Sequence, residues 1–110
     1  MASASLAAEL MGAKVLGKPK TWDGKRDTYR HFAVSLKGFV GALSPELLMA
    51  MKAVEIMESE VDPVAMGFTR EQQSYNAGLY YILTNTTELN AADIVDEVPE
   101  GNGLEAWRLM

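Results

Sequence analysis

His31 is the one histidine of the chain and the first side chain that could move a proton near neutral pH. A general base needs a proton to take within hydrogen-bond reach and a third group to orient the ring. No Ser-His-Asp or Cys-His arrangement can be assembled around His31, so it reads as a solvent-facing helical histidine. Glu55, Glu58, Glu60 and Asp62 could gather a hard cation. They follow helical spacing and lack the order of oxygens around a central glycine that calcium loops use, so they read as a solvated face. Asp93 and Glu97 stand one helical turn apart, the spacing of a carboxylate pair. Acid/base pairs work from buried clefts, whereas this pair reads as exposed. Gly101-Asn-Gly103 lacks both the remainder of a phosphate loop and the strand that would precede it. With no cysteine there are no disulfides, thiolate metal sites or thiol nucleophiles. These residues assign no catalytic, cofactor-binding or metal-ligating role, and the chain reads as non-enzymatic.

Aromatic residues offer a different chemistry. Trp22, Tyr29, Phe32, Phe39, Tyr75, Tyr80, Tyr81 and Trp107 could stack on nucleic-acid bases, but stacking surfaces interleave exposed aromatics with basic residues. Here most fall on stripes that read as core. The expected core anchors are Trp22, Tyr29, Phe32, Leu36, Phe39, Tyr75, Leu79, Ile82 and Trp107. Adjacent residues on a helix diverge by about 100°, so Tyr80 and Tyr81 cannot both face inward. The exposed one of this pair is expected to mark an interaction surface, since tyrosine favours protein contacts.

The elements that position these residues read as all-α. A chain of 110 residues supports one domain, and its composition of 48% hydrophobic and 23% charged residues suits a globular protein. Residues 1–20 mix Ala, Ser, Gly and Lys and read as a flexible N-terminal arm, with residues 21–110 as the helical domain. Trp22-Asp-Gly24 reads as a turn, because glycine accepts positive φ and aspartate bonds its own backbone. A helix then spans about residues 27–43, with Asp27 as candidate N-cap and Tyr29, Phe32, Leu36, Phe39, Val40 and Leu43 on one stripe. Gly38 and Gly41 beside that stripe permit either a close helix crossing or a loose helix end.

Ser44-Pro45-Glu46 opens a second helix, expected to reach about residue 59. Asp62-Pro63 starts a short turn that Gly67 ends. Thr69 with Gln72 forms a capping box for a third helix, whose buried face should carry Tyr75, Leu79, Ile82 and Leu83. Asn76 and Thr86 are expected on its other sides, and Asn85-Thr-Thr87 matches a glycosylation acceptor but reads as a polar helix end. A fourth helix covers about residues 89–98, with Ala91, Ile94, Val95 and Val98 on one side. Asn102 with Glu105 repeats the capping-box pattern, so a truncated fifth helix opens at Leu104. No strand-like alternation competes with these helices.

Charge is split along the chain. Residues 1–43 carry +4, and residues 44–110 carry −9. A dipolar chain attracts copies of itself front to back. The modest positive charge lies near the N-terminus and does not form the concentrated basic face that phosphate backbones require. No apolar run reaches the roughly 20 residues that cross a bilayer. The first residues, with Glu9 inside their apolar part, make a poor secretory signal. The expected location is cytoplasmic, with no membrane partner.

Taken in order, Trp22-Asp-Gly24, the spaced aromatics Tyr29 and Phe32, Ala91-Ala-Asp-Ile-Val-Asp-Glu-Val and Asn102-Gly-Leu-Glu-Ala-Trp-Arg-Leu resemble the Gag-like capsid region of copia-type LTR retrotransposon polyproteins. The likeness covers about residues 16–110 and looks like the N-terminal half of such a region. It implies a small orthogonal bundle, like a capsid N-terminal domain, of four helices plus a truncated fifth. It also implies a structural protein that self-associates around the element's RNA without a cofactor. That family grips RNA through a downstream Cys-rich zinc knuckle, and this chain has no cysteine. The expected partner is therefore another copy or another protein, with RNA met only indirectly. The alternative reading is a helical adaptor, a repurposed capsid-like domain that presents a groove or an exposed tyrosine to an unrelated protein.

Overall fold

A computed structural model describes residues 19–110, which form five helices and no regular strand. In chain order they are α1 (Arg26–Leu43), α2 (Pro45–Val54), α3 (Arg70–Thr86), α4 (Leu89–Glu97) and α5 (Gly103–Leu109). Residues 1–18, most of the expected N-terminal arm, lie outside the described residues. Its last residues run beside α1, where the Lys20 backbone N–H donates to Ser35 Oγ at 3.2 Å.

The α1 stripe turns Phe32, Ala33, Leu36, Phe39 and Val40 inward. Its start corrects the expectation for Asp27: the N-cap is Lys25, with no side-chain cap. The Lys25 carbonyl accepts from the Trp22 indole N–H at 2.8 Å and from Thr28 Oγ1 at 3.1 Å. The Trp22 turn thus starts the helix, and Asp27 sits in the first turn, where a carboxylate complements the positive helix end.

Ser44 caps α2 as expected, its Oγ accepting from Leu47 N–H at 3.3 Å, with Pro45 at the first helical position. The helix stops at Val54 and not near residue 59. Glu55 is the C-cap at its negative end, where a carboxylate is disfavoured. Glu55 turns instead to the Lys37 ammonium at 2.8 Å and the Trp107 indole at 2.9 Å. An irregular segment follows, within which Asp62 Oδ1 accepts from Val64 and Ala65 N–H groups before Gly67 closes the turn at φ +69°.

The Thr69/Gln72 capping box forms, with both reciprocal bonds present. The buried face of α3 is rotated from the expected one. Asn76 and Thr86 are buried beside Leu79, Ile82 and Leu83, while Tyr75 is only partly buried. Asn76, Leu79, Leu83 and Thr86 recur at three, four and three residues, so they share one stripe. Thr86 Oγ1 satisfies itself on the Ile82 carbonyl, and Asn76 bonds to α5.

Burial continues through the last two helices. In α4, Ala91 and Val95 point inward; in α5, Gly103 through Trp107 are all buried. The helix α5 lies against α3 and α2, and α2 lies against α1. At the α3 crossing a Cβ on Gly103 would lie 2.7 Å from the Asn76 carbonyl oxygen and 2.8 Å from the Leu79 carbonyl carbon. No side chain larger than hydrogen fits there. The other close approach, at Gly24, combines φ +100° with α4 backbone 2.9 Å from a would-be Cβ. By contrast, Gly38 faces open space, and a Cβ on Gly41 would meet only the Leu48 side chain.

Candidate interaction surfaces

Four of the expected anchors, Trp22, Tyr29, Phe32 and Trp107, converge on one aromatic pile. Trp22 stacks on Phe32 with centroids 5.4 Å apart and meets Tyr29 edge-on at 4.9 Å. Trp107 closes the other side, 6.3 Å from both Tyr29 and Phe32. Burial pushes the Tyr29 hydroxyl pKa up, and the nearby Glu55 carboxylate adds to the rise. The backbone of Trp22 is fastened as well, donating to the Thr86 carbonyl at 2.8 Å and accepting from Glu88 N–H at 3.0 Å. Leu36, Phe39, Leu79 and Ile82 fill the core around the pile. These eight residues form or pack against the core, whereas Tyr75, the ninth expected anchor, is only partly buried and lies outside the pile.

A polar seam, which the sequence reading did not identify, runs between α3, α5 and the segment before α3. Asn76 Nδ2 donates to Asn102 Oδ1 at 3.1 Å, and Asn76 Oδ1 accepts from Leu104 N–H at 2.8 Å. Asn102 Nδ2 donates to the Val61 carbonyl at 3.0 Å. Glu105 takes the Val61 N–H at 2.9 Å and both prongs of Arg108, at 2.7 and 2.8 Å. The bidentate Arg108 contact holds the Glu105 carboxyl below its usual range; burial opposes this, and the Val61 N–H assists. This seam corrects the expected Asn102/Glu105 capping box, because neither side chain caps α5. Both are buried, and the unpaired Val61 amide and carbonyl present a larger need than an accessible helix end. The stripe linking Asn76 to Leu79 and Leu83 was the available signal.

Beside the seam lies an open cleft of about 350 Å³ lined by Glu60, Val61, Asp62, Asn76, Glu100 and Asn102, among others. Its polar floor is already hydrogen-bonded. No group of three His, Cys, Asp or Glu residues that could hold a metal ion occurs among the described residues. His31, Asp93 and Glu97 are exposed, and His31 lies on α1 while the two carboxylates lie on α4.

The outer surface carries the remaining features. Val34, Met49, Ile56, Val64 and Leu89 are 65%, 71%, 85%, 87% and 71% exposed. Met49 and Ala53 are one turn apart on the outer side of α2, and Ile56 follows in the next turn. Of the tyrosine pair, Tyr81 is exposed at 44% and Tyr80 is partly buried, with their rings edge to face at 5.8 Å. No helix among the described residues is long and apolar enough to cross a membrane. Comparison of the chain with family models, with curated proteins and with solved structures finds no match.

Proposed function

We propose that this chain is a non-enzymatic, Gag-like structural module of retrotransposon type that acts by homotypic protein–protein assembly. One observation carries the reading: a bundle with a filled core leaves five large aliphatic or thioether side chains more than 60% exposed on its outer faces. A single exposed apolar residue is ordinary. Several of them, on a chain whose residues 1–43 and 44–110 carry +4 and −9, suit weak contacts multiplied by repetition. The order of motifs shared with copia-type Gag regions supports the same reading. The carboxylates of Glu60, Asp62 and Glu100 around the cleft favour a second reading, an adaptor that takes a basic segment of another protein.

Sedimentation velocity over a wide concentration range, at low and high salt, tests the proposal. Mass should rise with concentration and fall back as salt shortens the Debye length from about 10 Å at 0.1 M to about 3 Å at 1 M. A strict monomer at high concentration in low salt refutes it.

A further inference from the structure

The charges that would steer assembly are unevenly paired within the chain. Residues 88–100 carry five carboxylates and no basic residue. Leu89, Asp93 and Glu97 recur every four residues on α4, so they share one face, and all three are exposed. On α1, Arg30 and Val34 are likewise one turn apart and exposed. The backbone of exposed Lys20 is held beside Ser35, next to Val34. Ion pairs among the described residues engage Lys25 with Asp23, Lys37 with Glu55, and Arg108 with Glu105. They leave Lys20, Arg30, Asp93 and Glu97 unpaired.

We infer that the face formed by Arg30 and Val34 of α1 with the neighbouring Lys20 docks on the outer face of α4 (Leu89, Asp93, Glu97) of a second copy. This inference rests on the homotypic reading above and names its contact. Charge complementarity selects the occupant. Each face sets two exposed charges beside one aliphatic side chain, Val34 at 65% exposure and Leu89 at 71%. The carboxylates meet the cations while the two aliphatic residues meet each other. The two faces are different surfaces of one molecule, so the contact is head to tail and propagates into a ring or a filament. Like-charge faces repel, which excludes α4 against α4 and sets the polarity of the assembly.

Two complementary variants of the full chain test it by sedimentation velocity at low salt. The first is Lys20→Glu with Arg30→Glu; the second is Asp93→Lys with Glu97→Lys. Each alone should lose association on the order of tenfold or more. An equimolar mixture should recover it, because the reversed faces match one another. If the parent associates but either variant associates equally well, this contact is overturned and the assembly reading stands. A mixture that stays monomeric while both variants melt like the parent also overturns it. A monomeric parent overturns both. Should a reversed variant fail to fold, Asp93→Asn with Glu97→Gln replaces it, and an unchanged association constant then counts against the contact.

Discussion

Replacing Gly103 by alanine adds one methyl group where α5 crosses α3. Built on the existing backbone, that carbon would contact the Tyr80 amide nitrogen, and it would lie 2.7 Å from the Asn76 carbonyl oxygen and 2.8 Å from the Leu79 carbonyl carbon. Ordinary carbon contacts are about 3.5–4.0 Å, so α5 must withdraw by about 1 Å. Backbone offers no rotamer to move aside, unlike the Leu48 side chain that faces Gly41. Overpacking of this kind is destabilising by about 1–3 kcal/mol. Withdrawal also loosens Leu104, Ala106 and Trp107 and stretches the 2.8 Å bond from Leu104 N–H to Asn76. The expected loss is therefore about 3 kcal/mol, a large part of the roughly 5–15 kcal/mol that holds a domain together. Thermal unfolding followed by circular dichroism should shift down by about 10–20 °C. Helix propensity alone argues the opposite sign, since alanine is worth about 1 kcal/mol over glycine in a helix interior. Gly38 supplies the control: it lies within α1 with nothing within 4 Å of a would-be Cβ, so Gly38→Ala should stabilise by about that amount. A Gly103→Ala protein as stable as the parent refutes the close crossing.

The same unfolding measurement, repeated across pH, isolates Glu105. Its folded pKa lies below the ordinary carboxylate value, so its contribution is fully present above about pH 4.3 and is lost as pH falls through the lower folded value. Glu105→Gln should be less stable than the parent at pH 7, with the difference shrinking below pH 4; a gap constant with pH contradicts the Arg108 contact. Leu89 is a non-glycine residue at φ +53°, exposed and without a packing need for its side chain within the chain. Leu89→Gly should raise monomer stability by about 1 kcal/mol while weakening assembly, and an unchanged association constant would remove Leu89 from the contact.

Local rules made much of this fold legible. The Thr69/Gln72 box and the Ser44-Pro45 start depend on atoms within three residues of each other, and both form. The α1 stripe was legible because Phe32, Leu36, Phe39 and Val40 repeat at helical period. Asn102 and Glu105 carry the same capping pattern as Thr69 and Gln72, yet their side chains cross the bundle to Val61, more than forty residues away. Spacing cannot distinguish the two cases, because burial decides them: an accessible side chain serves its own helix end, while a buried one serves the nearest orphaned amide. The rotation of α3 has a similar cause. Tyr75 has the more apolar side chain, but the stripe running through Leu79 and Leu83 passes through Asn76, and a hydrogen-bonded asparagine is tolerated inside. For the docking faces, charge asymmetry was visible in the sequence, whereas the pairing of Lys37 and Lys25 within the chain was not.

The fastening of Trp22 to Thr86 and Glu88, with Trp107 sealing the other side of its ring pile, sets an order of events during synthesis. The tryptophan leaves the ribosome before the residues that fasten and seal it, Thr86, Glu88 and Trp107, which come more than sixty positions later. Until they arrive, α1 and α2 expose the hydrophobic side that the later helices cover. Nascent chains in that interval meet at high local density on a polysome, so a chaperone, or a neighbouring chain of the same kind, has its opportunity then.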